Sequence, residues 1–190
     1  MLIVNMKRIL FIDRDGTLIE ESADEKIDSF EKLKFLPDVL QQLSRIASNS
    51  DYLLVMVTNQ DGLGTPNFPE HTFRPVHDYI LQELKNKGIE FSAVHIDTTF
   101  PHQKAITRKP GTGMLTEYLE RSYDIKHSYV IGDRITDVEL AKNLGCKAIF
   151  IDHGQSLGVN ETTLKLEDAS LYIALRTSNW KEIADFLLLQ

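Results

Sequence analysis

Two acidic residues, Asp13 and Asp15, follow a hydrophobic run in the segment RILFIDRDGTLIE, residues 8–20. Neighbouring carboxylates repel each other unless a cation lies between them, so this spacing indicates a bound metal ion or a reaction that uses both groups. A carboxylate can attack phosphorus and form an aspartyl-phosphate. A second carboxylate nearby can protonate the leaving oxygen and later activate water. The pair is therefore a candidate for phosphoryl chemistry.

Further polar side chains follow two more predicted strands or precede a predicted helix: Thr58 and Asn59, Asp133 and Asp137, and Arg108 with Lys109. Because ligands bind beyond the carboxyl ends of the strands in an open parallel sheet, we expect these groups to meet at one edge. Three carboxylates, a hydroxyl and a lysine ammonium together suit a divalent cation and a phosphate. Magnesium prefers carboxylate oxygens, so the sequence predicts a Mg²⁺-dependent phosphate site.

Hydrophobic patterning predicts the elements that position these groups. Continuous apolar runs predict five buried strands, at residues 7–12, 52–57, 91–96, 127–132 and 146–151. Helical patterns open at Pro37 and at about Pro69, cover 114–121 and 138–144, and follow an Asn179 cap, with Trp180 anchoring the last helix. This alternation is typical of an α/β fold with a doubly wound parallel sheet. Residues 16–36 break it, so we expect a small flap on a single domain over 1–190, without a large cap domain.

Composition limits the possible functions. With 190 residues, 42% hydrophobic and 26% charged, the chain is typical of a soluble globular protein with one core. No apolar run has the length of a membrane span, and Met1 to Asn5 lacks the start of a signal peptide. The net charge of −7 disfavours a nucleic-acid partner. Cys146 is the single cysteine, which excludes an internal disulfide and agrees with a cytoplasmic location.

Four motifs occur in a recognisable order. DRDGT, TNQ, RKP and GDRITD resemble the four motifs of the haloacid dehalogenase superfamily of phosphatases, which implies a Rossmann-like core. The longer segments FIDRDGTLIE, VTNQDGLGT with FPE after it, and VIGDRITDVELAKNLG resemble its histidinol-phosphate phosphatase branch over residues 7–190. The resemblance implies hydrolysis of L-histidinol phosphate in histidine biosynthesis. That domain is often the front half of a bifunctional protein, so the chain would act alone or beside an imidazoleglycerol-phosphate dehydratase.

The resemblance also implies roles at the metal and at the reacting phosphorus. Asp13 would be the nucleophile and a magnesium ligand. Asp15 would be the general acid and base, and its backbone carbonyl would also reach the metal. Asp133 would complete the protein's hold on magnesium. Asp137 would orient Lys109 or a metal-bound water.

The remaining motif residues are expected to hold the substrate. The resemblance implies that Thr58 and the backbone of Asn59 bind the phosphoryl oxygens, that Lys109 neutralises them, and that Arg108 contributes to recognition. Glu21 lies in the acid-rich run 20–31. Histidinol phosphate carries an ammonium and an imidazole, and Glu21 is a candidate to pair with either.

The loop before RKP departs from the family pattern. Relatives in this branch commonly carry a zinc-binding set of cysteines and a histidine there, whereas DTTFPHQKAITRKP contains His102 and no cysteine. Because a zinc site needs about four N or S ligands, we expect no structural zinc. His102 is then expected to be a solvated loop residue.

Other functions share parts of this pattern. A heptose-bisphosphate phosphatase, or another small-molecule phosphatase, would carry the same motifs. A phosphorelay receiver also groups acids, a Thr and a Lys, but it accepts phosphate on a later strand, whereas the paired acids here precede Gly-Thr on strand one. A non-catalytic binding module is disfavoured because no motif residue is missing. A polynucleotide 3′-phosphatase is disfavoured by the acidic charge.

Overall fold

A six-stranded sheet forms the centre of the computed structural model, which describes residues 6–120, 123–154 and 157–189. The strands are β1 (Ile9–Ile12), β2 (Leu53–Asn59), β3 (Ala93–Asp97), β4 (Tyr129–Gly132), β5 (Lys147–Ile151) and β6 (Ile173–Thr177). Neighbouring strands are parallel, in the order β3-β2-β1-β4-β5-β6. The predicted doubly wound parallel sheet is confirmed.

Helices cover both faces of the sheet. They are α1 (Val39–Asn49), α2 (Glu70–Asn86), α3 (Thr116–Glu120), α4 (Ile135–Leu144), α5 (Leu166–Ala169) and α6 (Trp180–Leu188). Alternate residues of β1 face opposite ways, so Leu10 and Ile12 pack with α1, α2 and α6, whereas Ile9 and Phe11 pack with α3, α4 and α5. Because β1 is buried on both faces, its sequence is continuously apolar. Among the described residues, no helix combines the length and apolarity that a bilayer crossing requires.

Some predicted boundaries differ from the structure. Helix α4 begins at Ile135 rather than Val138, since the Asp137 side chain accepts the backbone N–H of Arg134 and caps the first turn. Strand β6 was not predicted: it lies at the sheet edge, and its residues alternate between partly buried and exposed positions. The expectations for Met1 to Asn5, and for the helix end at Arg121, fall outside the described residues.

The segment between β1 and α1 contains isolated bridges rather than a regular strand pair. Ile19 pairs with Asp15 on one side and with Phe35 on the other. The turn at Gly16 and Thr17 in this segment lies against α6, where the indole Nε1 of Trp180 donates to the Thr17 carbonyl at 2.9 Å. Trp180 is buried, so the prediction that it anchors α6 is confirmed.

Candidate active site

The carboxyl ends of β1, β2 and β4 bring the predicted polar residues together. Asp13 follows β1, Thr58 and Asn59 end β2, and Asp133 follows β4. The buried ammonium of Lys109 joins this group, with its Nζ 2.7 Å from Asp13 Oδ1 and 2.8 Å from Asp137 Oδ1. Although burial alone would lower the pKa of Lys109, the charges of Asp13 and Asp137 raise it, so the side chain stays cationic.

Three buried carboxylates meet beside this lysine. One oxygen from each of Asp13, Asp133 and Asp137 lies within 4.8 Å of the others. Burial, followed by the charges of the two neighbouring acids, raises the pKa of Asp133 to about 8. Burial also raises the pKa of Asp13 to about 7, although Lys109 opposes the shift. A cation here would favour the ionised forms of these groups.

One oxygen of this cluster has no protein partner. Asp133 Oδ1 is buried and accepts no hydrogen bond from the described residues. A buried unpaired carboxylate oxygen is costly, and buried charges are normally paired or coordinate a metal. The donor set is all oxygen, which suits a hard divalent cation such as Mg²⁺. The residues present therefore fit a magnesium ion.

Glycines allow the acids to approach the backbone closely. Gly16 has a φ of +69°, and a Cβ there would lie 2.1 Å from Asp133 Oδ2. A Cβ on Gly132 would lie 2.3 Å from an oxygen of Asp137. The Gly in DRDGT and the Gly in GDRITD are thus both required by the packing of carboxylates against the main chain.

A separate network orients Asp15. The fully buried guanidinium of Arg14 donates to both Asp15 oxygens, at 3.1 and 3.0 Å, and Gln60 Nε2 donates to Oδ2 at 2.6 Å. Helix α2 fixes Arg14 in turn, since the guanidinium lies 4.8 Å from the Phe73 ring centre and 3.4 Å from His77 Nδ1. Neither Arg14 nor Gln60 was predicted as a site residue, although both lie inside the motifs DRDGT and TNQ.

The end of β2 provides the Thr58 hydroxyl and the Asn59 side chain, which binds the backbone of Lys109. Gln60 Nε2 donates to Thr58 Oγ1 at 2.8 Å, which leaves the Thr58 hydroxyl proton for another acceptor. The Asn59 side chain accepts from the Lys109 N–H at 3.0 Å and donates to the Lys109 carbonyl at 3.2 Å. Asn59 therefore holds the backbone from which the Lys109 ammonium projects.

Six charged side chains surround the pocket above these groups. We call them the pocket rim: Glu21, Glu25, Asp61, Arg108, Arg134 and Glu161. Arg108 contacts both oxygens of Asp61 and donates to the Thr99 carbonyl at 2.8 Å. Glu21 accepts from Arg134, and burial raises the pKa of Glu21 although Arg134 opposes the shift. Of this set, sequence reasoning identified only Glu21 and Arg108.

The Asp97 carboxylate accepts hydrogen bonds from both ends of the loop before Arg108. Asp97 accepts from the Thr99 N–H at 2.8 Å and from the hydroxyls of Thr99 and Thr107 at 2.5 Å each. His102 is exposed and stacks on Phe100, with ring centres 5.6 Å apart. The Asp97 contacts thus link Thr99 near the start of the loop to Thr107 near its end.

The fold and the site together define a class of protein. A parallel α/β sheet that carries Asp13 and Asp15 after its first strand, with Thr58, Lys109 and Asp133 around them, has the arrangement of a haloacid dehalogenase-like hydrolase. Residues 106–170 match the family model described as HAD-hydrolase-like. The chain is similar to this family over that segment, and its six-stranded parallel sheet has the α/β fold of such hydrolases.

Two curated relatives belong to a narrower group than the family model describes. The chain is 50% identical over 191 residues to the histidine biosynthesis bifunctional protein HisB of Spirosoma linguale, covering 97% of this chain and 49% of that protein. It is 51% identical over 183 residues to HisB of Bacteroides fragilis, covering 95% of this chain and 47% of that protein. The chain thus spans about half the length of these curated relatives.

A solved structure of similar fold contains the expected ligands. The D,D-heptose 1,7-bisphosphate phosphatase of B. bronchiseptica, crystallised with magnesium and phosphate, aligns with a TM-score of 0.76 and 25% identity. The alignment covers 97% of this chain and 99% of that one.

Proposed function

We propose that this protein is a Mg²⁺-dependent phosphomonoesterase that works through an aspartyl-phosphate on Asp13. The observation that supports the reaction is the contact of the Asp13 carboxylate with the buried Lys109 ammonium, beside the unpaired oxygen of Asp133. A phosphoryl group needs a nucleophile, positive charge for its oxygens and an acid for the leaving oxygen. These groups line one pocket.

In this proposal the protein groups divide the work. An Asp13 oxygen attacks phosphorus while the Thr58 hydroxyl and the Lys109 ammonium bind the phosphoryl oxygens. Asp15 gives its proton to the leaving alcohol oxygen, which breaks the substrate's P–O bond. Asp15 then takes a proton from water, whose oxygen attacks phosphorus and releases phosphate from Asp13. Arg14 and Gln60 hold Asp15 in position for both transfers.

Magnesium is assigned to the acid cluster. Asp13 and Asp133 would be its side-chain ligands, with the Asp15 carbonyl as a backbone ligand, and Asp137 would orient Lys109. When bound, the ion would neutralise phosphoryl charge and pair the carboxylates. We expect EDTA to abolish phosphatase activity and added Mg²⁺ to restore it, measured as released phosphate. Full activity in EDTA would contradict the assignment.

The substrate we propose is L-histidinol phosphate. Similarity to the HisB proteins over almost the whole chain supports it, and the acid-rich pocket rim suits an alcohol that carries positive charge. Glu21 and Arg108 are the rim residues expected to contact it. The enzyme would work in the cytoplasm, either alone or fused to an imidazoleglycerol-phosphate dehydratase.

The alternative is a heptose-bisphosphate phosphatase, favoured by the structural match to the B. bronchiseptica enzyme. Steady-state assays with both substrates and Mg²⁺ separate the two functions. We expect a higher kcat/KM for L-histidinol phosphate, because a second phosphate would meet the acidic side chains of the rim. A higher value for the sugar bisphosphate would reject the proposed substrate and retain the reaction class.

A further inference from the structure

The pocket rim contains a carboxylate that none of the sequence motifs includes. Glu161 ends a 3₁₀ turn, Val159–Glu161, in the segment between β5 and α5. Its Oε2 accepts from Arg108 Nη2 at 2.5 Å. Its Oε1 lies 3.9 Å from Arg134 Nη1, which is too long for a hydrogen bond. Glu161 therefore lies between the two arginines of the rim and bonds directly to one of them.

This leaves Glu161 with acceptor capacity toward the pocket. A carboxylate offers about four lone-pair sites, and Arg108 occupies one. The Glu161 side chain is 23% exposed and lines the same pocket as Asp13 and Asp15. A ligand group with several N–H donors can thus bind Glu161 without displacing Arg108.

The segment that carries Glu161 is held by hydrogen bonds to helix α4. Glu139 on α4 is almost fully buried, and its carboxylate accepts from the hydroxyls of Thr162 and Thr163 and from the Thr163 N–H at 3.0 Å. A buried carboxylate with several donors is a strong anchor, since hydrogen bonds to charged groups exceed neutral ones. Glu161 is therefore held in place before a substrate arrives, which reduces the entropy cost of binding.

The charge of the rim favours a cationic ligand group. Its four acids, Glu21, Glu25, Asp61 and Glu161, face two arginines. Asp61 uses both oxygens on Arg108, and Glu21 and Glu25 both face Arg134. Glu161 combines a hydrogen bond from Arg108, a second oxygen 3.9 Å from Arg134, and a neighbouring backbone held by Glu139. Glu25, whose contact with Arg134 is also long, is 68% exposed.

We propose that Glu161 is the specificity-determining residue that binds the ammonium group of the substrate's alcohol portion. This inference rests on the proposed function and names the side chain that selects the substrate. An aliphatic ammonium stays charged at neutral pH, whereas an imidazole is mostly neutral there, so the ammonium is the better partner for this carboxylate. Phosphate esters without an ammonium bind without this contact.

The test compares Glu161→Gln with wild type on two substrates: L-histidinol phosphate, and its analogue without the amino group. Glutamine keeps the size of the side chain and can still accept from Arg108. Loss of a charged hydrogen bond predicts an increase in KM of about 10- to 100-fold for L-histidinol phosphate, with kcat little changed. For the deaminated analogue we expect KM and kcat within about twofold of wild type. Glu167→Gln, an exposed position beyond the segment, is the matched control and should change neither substrate.

The outcomes separate this inference from the proposed function. Equal KM changes for both substrates, or no change for either, would overturn the role of Glu161. A wild-type enzyme that hydrolyses the deaminated analogue as efficiently as L-histidinol phosphate would overturn it too, even if Glu161→Gln did not fold. A wild-type enzyme that hydrolyses neither substrate, even with Mg²⁺, would reject the proposed function itself. Circular dichroism melting of each variant checks that the fold is retained.

Discussion

Asp13 and Asp15 lie in different surroundings although a single residue separates them. Asp13 contacts the Lys109 ammonium and lies beside two further acids. Asp15 accepts from Arg14 and Gln60 and is absent from that acid cluster. Asp13 contacts the Lys109 ammonium, whereas Asp15 contacts the buried Arg14 guanidinium. We therefore expect substitutions at the two positions to block different steps of the proposed reaction.

The first prediction separates these steps. Asp13→Asn removes the attacking oxygen, so we expect neither product nor phosphoenzyme. Asp15→Asn removes the group that activates water, and general-base help is typically worth about 10²–10⁴-fold. With 4-nitrophenyl phosphate, whose leaving group scarcely needs protonation, phospho-Asp13 should form as a burst near one equivalent and then turn over very slowly.

Rapid-quench mass spectrometry of the peptide that contains both acids measures this outcome. The wild-type enzyme and Glu167→Gln serve as controls for expression and folding. A near-normal steady rate for Asp15→Asn, or substrate phosphate on any residue other than Asp13, would show that the assigned roles are wrong.

Individual site residues differ in how well the sequence predicts them. Asp13, Thr58 and Asp133 were identifiable because each lies at the carboxyl end of a hydrophobic strand. Glu161 and Arg134 were not, because their partners come from remote parts of the chain: Arg108 is 53 residues from Glu161, and Arg134 is 113 residues from Glu21. Periodicity predicts elements, but it contains no information on which loops face each other across a pocket.

At the scale of elements, α6 supports the active-site turn. Trp180→Phe keeps most of the buried ring and removes the hydrogen bond to the Thr17 carbonyl, which is left without that donor. We expect the free energy of unfolding to fall by about 1–3 kcal/mol, measured by urea denaturation. The exposed neighbour Lys181→Ala should have a small effect. Equal stability of Trp180→Phe and wild type would show that the indole contributes through packing alone.

The loop 98–109 gives a second element-scale prediction. Since Asp97 and its threonine partners order this loop without thiolates, we expect purified protein to contain no stoichiometric zinc and to melt at the same temperature with and without a chelator. Asp97→Ala removes three acceptor contacts and should lower stability by about 1–3 kcal/mol. About one zinc per chain by elemental analysis, lost together with stability on chelation, would contradict this.

The elements themselves were largely predictable, with one informative exception. Strands buried on both faces, such as β1 and β5, can be recognised in the sequence as continuous apolar runs. Strand β6 has one neighbour in the sheet and includes Arg176, which reaches out to Asp152. An edge strand with one half-exposed face has too few apolar positions for periodicity to detect.

At the scale of the whole molecule, acid sensitivity should depend on His77. Burial, and then the charge of Arg14, lowers the pKa of His77 to about 4 from 6.5. The unfolded chain therefore binds this proton between pH 6.5 and 4 while the folded chain does not, so stability falls as the pH decreases through that range. The loss is on the order of 3 kcal/mol.

Denaturant titrations from pH 8 to pH 4 test this dependence. His77→Gln has no titrating ring and should show a flatter profile over the same interval, whereas His71→Gln, on the exposed side of the same helix, should match wild type. An unchanged slope in His77→Gln would assign the acid sensitivity to other groups.

The tether between Glu139 and the two threonines has a consequence for divergence. It joins the segment that bears Glu161 to α4, whereas Asp13 follows β1 and Thr58 lies on β2. If Glu161 selects the substrate as proposed, mutations in residues 157–161 should change which alcohol is accepted and leave Asp13 and Thr58 in place. After gene duplication, one copy could therefore evolve to accept a new substrate through mutations in this short segment. Glu139 would have to be retained, because it holds Thr162 and Thr163 directly after the segment.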